Sequence, residues 1–261
     1  MDTPAPAKID VKDLTIGFGD TVVQTDISFS VASGAIFAIM GGSGCGKSTL
    51  LRAMIGLLAP QAGSIHFGDT DYVTASAPER SAISRRCGVL FQNGALWTSL
   101  TTGENVALPL RMLTKLDDAT IAALVKVKLG LVGLPSAAAT MPASLSGGMR
   151  KRAGLARALA LEPDILFIDE PSAGLDPVSS RRLDDLIVQL RDGFGTTIVL
   201  VSHELPSLLA ICDDGIFLDG VTKKPLAHGA PAALRDQCDD PTVHAFMHRE
   251  RTTGGALDAP A

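Results

Sequence analysis

From residue 8 to residue 31 apolar and polar residues alternate, with Ile9, Val11, Leu14 and Ile16 before the turn Gly17-Phe18-Gly19-Asp20 and Val23, Ile27, Phe29 and Val31 after it. A period of two places one row of side chains on a buried face, so the stretch predicts an antiparallel strand pair. After Gly34 the pattern changes to nearly continuous apolar runs: AIFAIM (35–40), CGVLF (87–91), DILFI (164–168) and TTIVLVS (196–202), each followed by polar residues. Strands apolar on both faces are buried on both, which predicts a parallel sheet flanked by helices. Between about 101 and 145 the strands stop. There TTGENVALPLRML and DDATIAALVKVKLGLVGL predict helices, the body of a helical subdomain reaching about residue 160. Residues 213 to about 248 predict a strand, a turn at VTKK, another strand and short helices. The expected domain spans 8–248, followed by a flexible tail over 249–261. No internal repeat is present.

Composition narrows the class. The chain of 261 residues is 46% hydrophobic and 20% charged, which excludes disorder, and its net charge of -5 supplies no general attraction to nucleic acid. No apolar run approaches the ~20 residues of a membrane span. The opening MDTPAPAKID has acids and prolines where a signal peptide needs a basic end and an apolar stretch, so export is not expected. Cys45, Cys87, Cys212 and Cys238 are scattered without metal-ligand spacing and read as free thiols of a reducing cytosol.

The first apolar run delivers GGSGCGKST, residues 41–49, which fits G-x-x-x-x-G-K-[ST] with Gly41, Gly46, Lys47 and Ser48. Glycines let backbone N–H groups and a helix N-terminus face phosphate oxygens. The whole stretch, including Gly42, Ser43, Gly44, Cys45 and Thr49, is therefore expected to hold a nucleoside triphosphate. Lys47 would reach the β- and γ-phosphates, and Ser48 a Mg²⁺. Cys45 reads as a thiol activated by the helix N-terminus and Lys47, whose alkylation is expected to inactivate the ATPase, in preference to a small inert residue packed beneath the loop.

DILFIDEPSAGLDP carries Asp169 and Glu170 to a strand end, the sheet edge at which ligands bind. Asp169 is placed to hold Mg²⁺, and Glu170 to orient or deprotonate the attacking water; a lone Asp-Glu pair would otherwise read as a loop cap. SLSGGMRKRAGLARALA opens a helix at Ser146-Gly147-Gly148, where free N–H groups and the Ser146 hydroxyl suit an anion. Arg150, Lys151, Arg152 and Arg157 on that helix read as a solvated face in preference to a basic patch.

GGSGCGKST, Gln92 after VLF, LSGGM, ILFIDE, SAGLD and VSHE stand in the order and spacing of the nucleotide-binding subunits of ABC transporters, which residues 8–228 resemble. The resemblance implies an α/β fold, a P-loop NTPase domain of the ABC ATPase type with an antiparallel β subdomain and a helical subdomain. It implies that Phe18 stacks on adenine, that Gln92 senses Mg²⁺ and the attacking water, that Asp176 lies at a dimer contact, and that His203 touches the γ-phosphate. Singly, Phe18 reads as a strand-end core residue, Gln92 as a loop amide and His203 as a helix cap. In this family the Ser-Gly-Gly turn of one subunit closes over the ATP held by the other. One copy of each motif therefore implies a homodimer.

Met149 stands where most of the superfamily has glutamine, and methionine donates no hydrogen bond. LSGGMRKRAGLARALALEPDILFIDEPSAGLDP and FQNGALWTSLTTGENVALPL resemble the ATPases of Mla- and Mce-type lipid transporters. That resemblance implies ATP-driven phospholipid transport between envelope membranes, at the cytoplasmic face of the inner membrane, with permease subunits and an MCE-domain protein and without nucleic acid. The alternative is a soluble ABC-type ATPase acting on nucleic acid or ribosomes. Leu96 and Trp97 are candidates for a permease contact, with packing inside the subdomain the favoured fate of Trp97.

Overall fold

The alternating stretch forms the expected strand pair in the computed structural model, which describes residues 7–250. β1 (Ala7–Phe18) runs antiparallel to β2 (Thr21–Ala32), with Ile9, Leu14, Ile16, Ile27 and Val31 fully buried. The chain then passes through β3 (Ile36–Gly41), α1 (Lys47–Met54), β4 (Ala62–Phe67), β5 (Thr70–Asp71), α2 (Ala77–Arg85) and β6 (Cys87–Leu90). β4, β5 and α2 were not anticipated. Only Ile65 and Phe67 alternate inward in β4, too short a pattern to stand out, yet it pairs with β1 and completes a four-stranded sheet in the order β2-β1-β4-β5.

Next come α3 (Thr102–Leu113) and α4 (Asp118–Leu131), where two helices were expected, then a 3-10 turn at Pro142–Ser144 and α5 (Gly147–Ala158). Their starts are locally encoded. Thr101 and Glu104 cap α3 reciprocally, and Asp117 accepts from Thr120 N at 2.8 Å at the start of α4. The chain closes with β7 (Ile165–Asp169), α6 (Pro177–Phe194), β8 (Thr197–Val201), α7 (Leu205–Ile211), β9 (Asp214–Leu218), β10 (Pro225–His228), α8 (Pro231–Gln237) and α9 (Pro241–His248). Residues 251–261 of the expected tail lie outside the described residues.

Six strands form the second sheet in the order β10-β9-β3-β8-β7-β6, parallel except for β10. Its continuous apolar runs divide by face. Phe37, Ile39, Ile165, Phe167, Val199 and Val201 pack with α1 under the antiparallel sheet, and Phe29 stacks on Phe37 with ring centres 4.8 Å apart. Leu166, Ile168, Ile198 and Leu200 face the opposite way and join α3, α4, α5 and α6 in one core. A third cluster sets Ala38, Met40 and Phe217 against α7, α8 and α9. Burial on both faces explains why these strands lack a polar alternate. It also aligns the ends of β3, β7 and β8 along one edge, where Gly41, Asp169 and Ser202 emerge. Among the described residues no helix is long and apolar enough to cross a membrane.

Candidate active site

Between β3 and α1 the chain turns so tightly that two positions admit only glycine. A Cβ on Gly41 would stand 2.2 Å from the Leu218 carbonyl oxygen and 2.7 Å from Cys45 Sγ, and one on Gly46, whose φ is +102°, would stand 2.8 Å from Val23 Cγ1. Cβ atoms at Gly42 and Gly44 would meet nothing within 4 Å, so that side of the loop is an open cradle. No side chain caps α1. Its first-turn N–H groups are therefore left for an anion. Lys47 is buried, and its Nζ donates to the carbonyls of Gly41 and Gly42, both at 2.8 Å, which folds the ammonium back over the loop.

Across the sheet edge, β7 ends at Asp169, whose Oδ1 accepts from Ser48 Oγ at 3.1 Å. Burial pushes the Asp169 carboxyl up, against the lowering effect of that hydroxyl, and adjacent Glu170 adds to the rise. Glu170 follows with φ +48°, a left-handed conformation costly for a side chain with a Cβ. Its Oε1 lies 2.8 Å from His203 Nδ1, while its Oε2 is buried without a partner. A carboxylate oxygen buried in this way calls for a hydrogen-bond donor. The other ring nitrogen of His203 stands 3.6 Å from Glu204 Oε1. Ser48, Asp169, Glu170 and His203 thus lie together at this sheet edge, with His203 partnered to the acid and Lys47 in the adjoining loop.

The residues present fit a Mg²⁺. A hydroxyl and a carboxylate already adjacent are hard oxygen donors, which suit an ion bound through one or two carboxylates and substrate phosphates.

Phe18 is 52% exposed at the end of β1, so it is no core residue. The strand that starts opposite it, at Thr21, runs to Val23, in contact distance of the phosphate loop. Gln92 stands exposed just beyond β6. Asp176 caps α6 in its own chain by accepting from Val178 N and Ser179 N, both at 3.0 Å. Ser146 Oγ accepts from Met149 N at 3.2 Å, which leaves its O–H to donate, with Gly147 and Gly148 beginning α5. The Met149 side chain packs against the helical core. A cleft of about 290 Å³ beside Ser146 is lined by Gly147, Gly148, Gly174 and Asp176, and no residue of the phosphate loop borders it.

Three expectations are corrected. Cys45 is 3% exposed, lying under the loop against Gly41 and Gly220, and burial pushes its thiol up despite the opposing pull of Lys47. It is the inert residue of the two readings: the helix N-terminus cannot offset desolvation of a thiolate. Small alkylating reagents at neutral pH should leave ATPase activity intact and label Cys45 only after unfolding, as peptide mass spectrometry would report; rapid labelling of the native chain would reverse this assignment. Cys87 is no readier to react, since burial pushes its thiol up to about 12. Second, the basic side chains of α5 are a solvated face only in part: Arg150 is exposed, but Lys151 is buried and Arg152 and Arg157 are half-buried. Arg150 binds Leu145 O, Lys151 the carbonyls of Glu170 and Ala173, Arg152 those of Val132 and Gly133, and Arg157 those of Gly94 and Ala95. Third, Trp97 is 61% exposed and not packed inside, while the Asn105 side chain holds the Trp97 backbone through both its N–H and its carbonyl. Leu96 is the one that packs on the core.

Gln24 escaped the sequence reading. Fully buried on β2, it donates to Cys45 O at 2.7 Å and Asp219 O at 2.6 Å, tying the antiparallel sheet, the phosphate loop and the β9–β10 turn together. A polar residue among inward-facing apolar ones was the only signal.

Residues 24–173 match the family model described as ABC transporter. Over 247 residues the chain is 42% identical to the intermembrane phospholipid transport system ATP-binding protein MlaF of Escherichia coli (strain K12), covering 95% of this chain and 91% of that protein. It is 39% identical over 248 residues to the probable ribonucleotide transport ATP-binding protein mkl of Mycobacterium tuberculosis, covering 95% of this chain and 68% of mkl. The ATP-binding cassette MJ0796, solved as a dimer in a post-hydrolysis state with ADP and Pi, has the same fold, with a TM-score of 0.77 and 27% identity over 84% of this chain and 97% of that one.

Proposed function

The chain belongs to the ABC transporter family and is an ATP-hydrolysing cassette, and from that premise we propose that it powers transport of phospholipid, or of a related hydrophobic molecule, between envelope membranes. The observation that carries the chemistry is the Glu170 carboxylate, with one oxygen on His203 and the other buried and unpartnered. In this reading the loop amides of residues 42–49 and Lys47 bind the triphosphate, Phe18 stacks on the base, and Glu170 orients the attacking water and takes its proton. His203 keeps Glu170 aimed through Nδ1 and touches the γ-phosphate. Ser48 and Asp169 would hold Mg²⁺, with Gln92 at its side, and the ion when bound would neutralise charge on the phosphate oxygens. Ser146, Gly147 and Gly148 serve the nucleotide of the partner copy in a homodimer, with Asp176 at the contact.

The cargo is argued from the 42% identity to a protein named for intermembrane phospholipid transport. In this reading the motor works on a permease at the cytoplasmic face of the inner membrane, with an MCE-domain protein as a further partner. The reading on nucleic acid or ribosomes has no support among these relatives. Gentle detergent extraction of the tagged protein from its native membrane, with mass spectrometry of what accompanies it, should recover permease subunits and phospholipid. Recovery of ribosomal proteins, or of a permease with ribonucleotide and no lipid, would overturn the cargo.

A further inference from the structure

α5 begins at the Ser146 turn and runs past the loops that carry Gln92 and Glu170. Its Lys151 is 6% exposed, and an ammonium so buried requires acceptors. It has two, in a single turn: Glu170 O at 3.1 Å and Ala173 O. Three backbone bonds also hold that turn, one of them Leu175 N to Ser172 O at 3.0 Å. Glu170 N donates to Val201 O at 2.9 Å, and the turn's own bond, Ala173 N to Glu170 O, is long at 3.4 Å. A non-glycine residue at φ +48° persists only where its surroundings impose that conformation. The direction of the Glu170 side chain depends on it.

We propose that Lys151 is a positioning residue for Glu170: from α5 its ammonium clamps the carbonyls at both ends of the Glu170–Ala173 turn and so keeps the carboxylate against His203. The proposal rests on the reading of Glu170 as the base. It adds a connection that neither motif discloses alone. The helix whose first turn serves the partner's nucleotide is fastened, one turn later, to the base that serves this copy's own. Arg157 acts likewise on the other flank, donating to Gly94 O at 3.0 Å and to Ala95 O at 2.6 Å in the loop after Gln92.

Steady-state ATPase kinetics and nucleotide titration of the full chain test the clamp. Lys151→Met keeps the apolar stem and removes the donor, so kcat should fall at least about tenfold, the effect of losing a charged hydrogen bond, with KM and nucleotide affinity within about twofold. Lys151→Gln restores an N–H donor and should return kcat to within about threefold of wild type. If Lys151→Met unfolds, Lys151→Ser, too short to reach either carbonyl, takes its place in the comparison. In the Glu170→Gln background Lys151→Met should cause no further loss, because a residue that acts only through Glu170 has nothing left to position. Near-normal turnover of Glu170→Gln alone condemns the base assignment. Slow Glu170→Gln with Lys151→Met at the wild-type rate condemns only the clamp. So does a further loss in the double variant, or loss of nucleotide affinity together with kcat in the Met and Gln variants alike.

Discussion

Glu170→Gln should lower ATP turnover by roughly 10²–10⁴-fold, the range spanned by loss of a positioned general base, and leave nucleotide binding intact. The amide has the shape of the carboxylate, and its oxygen can still accept from His203 Nδ1, which lies 2.8 Å from Oε1 in the native site. What vanishes is basicity at the buried, unpartnered oxygen, Oε2. The phosphate loop, Lys47 and Ser48 are untouched. ATP should therefore accumulate uncleaved between two copies, and the closed dimer should appear by size-exclusion chromatography in ATP but not in ADP. Single-turnover hydrolysis measures the chemical step without interference from product release. Near-normal turnover would mean that the proton goes elsewhere, and His203 would be the next candidate.

Lys47→Ala should fail one step earlier, at binding. A charged hydrogen bond to phosphate contributes about 1.5–3 kcal/mol, or a factor of roughly 10 to 100 in dissociation constant. Before ligand arrives, the ammonium is bonded to the carbonyls of Gly41 and Gly42, so binding exchanges loop acceptors for phosphate oxygens without exposing a buried charge. Truncation also leaves those carbonyls without their donor, which argues for recording thermal unfolding alongside affinity. The loop shape should survive, because it is set by Gly41 and Gly46 pressed against Leu218 and Val23. Titration with a fluorescent ATP analogue provides the number. Unchanged affinity would remove Lys47 from the phosphates. Together the variants separate two failures: Glu170→Gln binds and does not cut, whereas Lys47→Ala does not hold.

By itself the sequence determined what local chemistry can encode. Alternation at Ile9, Val11, Leu14 and Ile16 specified a half-buried strand, continuous runs specified strands buried twice over, and the glycines and Lys47 of the loop specified an anion cradle because the required backbone tolerates little else. Caps were equally local, since Asp117 and Asp176 bond N–H groups within three residues of themselves. Tertiary structure decided every partnership between distant residues. His203 meets Glu170 across 33 residues because β8 lies beside β7, and strand order leaves no periodic trace in either run. Lys151 and Arg157 looked solvated because a charge on a helix of an acidic protein finds water by default; only the approach of the Glu170 and Gln92 loops supplied carbonyls instead. Cys45 carried a local argument for reactivity, a helix N-terminus and a lysine, and lost it to burial, with Gly41 against its sulfur and Gly220 against its Cα and Cβ. Gln24 bridges two carbonyls that meet only once the β9–β10 turn folds beside the phosphate loop. Local pattern reports which way a side chain points; what waits for it there is settled by the packing of elements far apart in the chain.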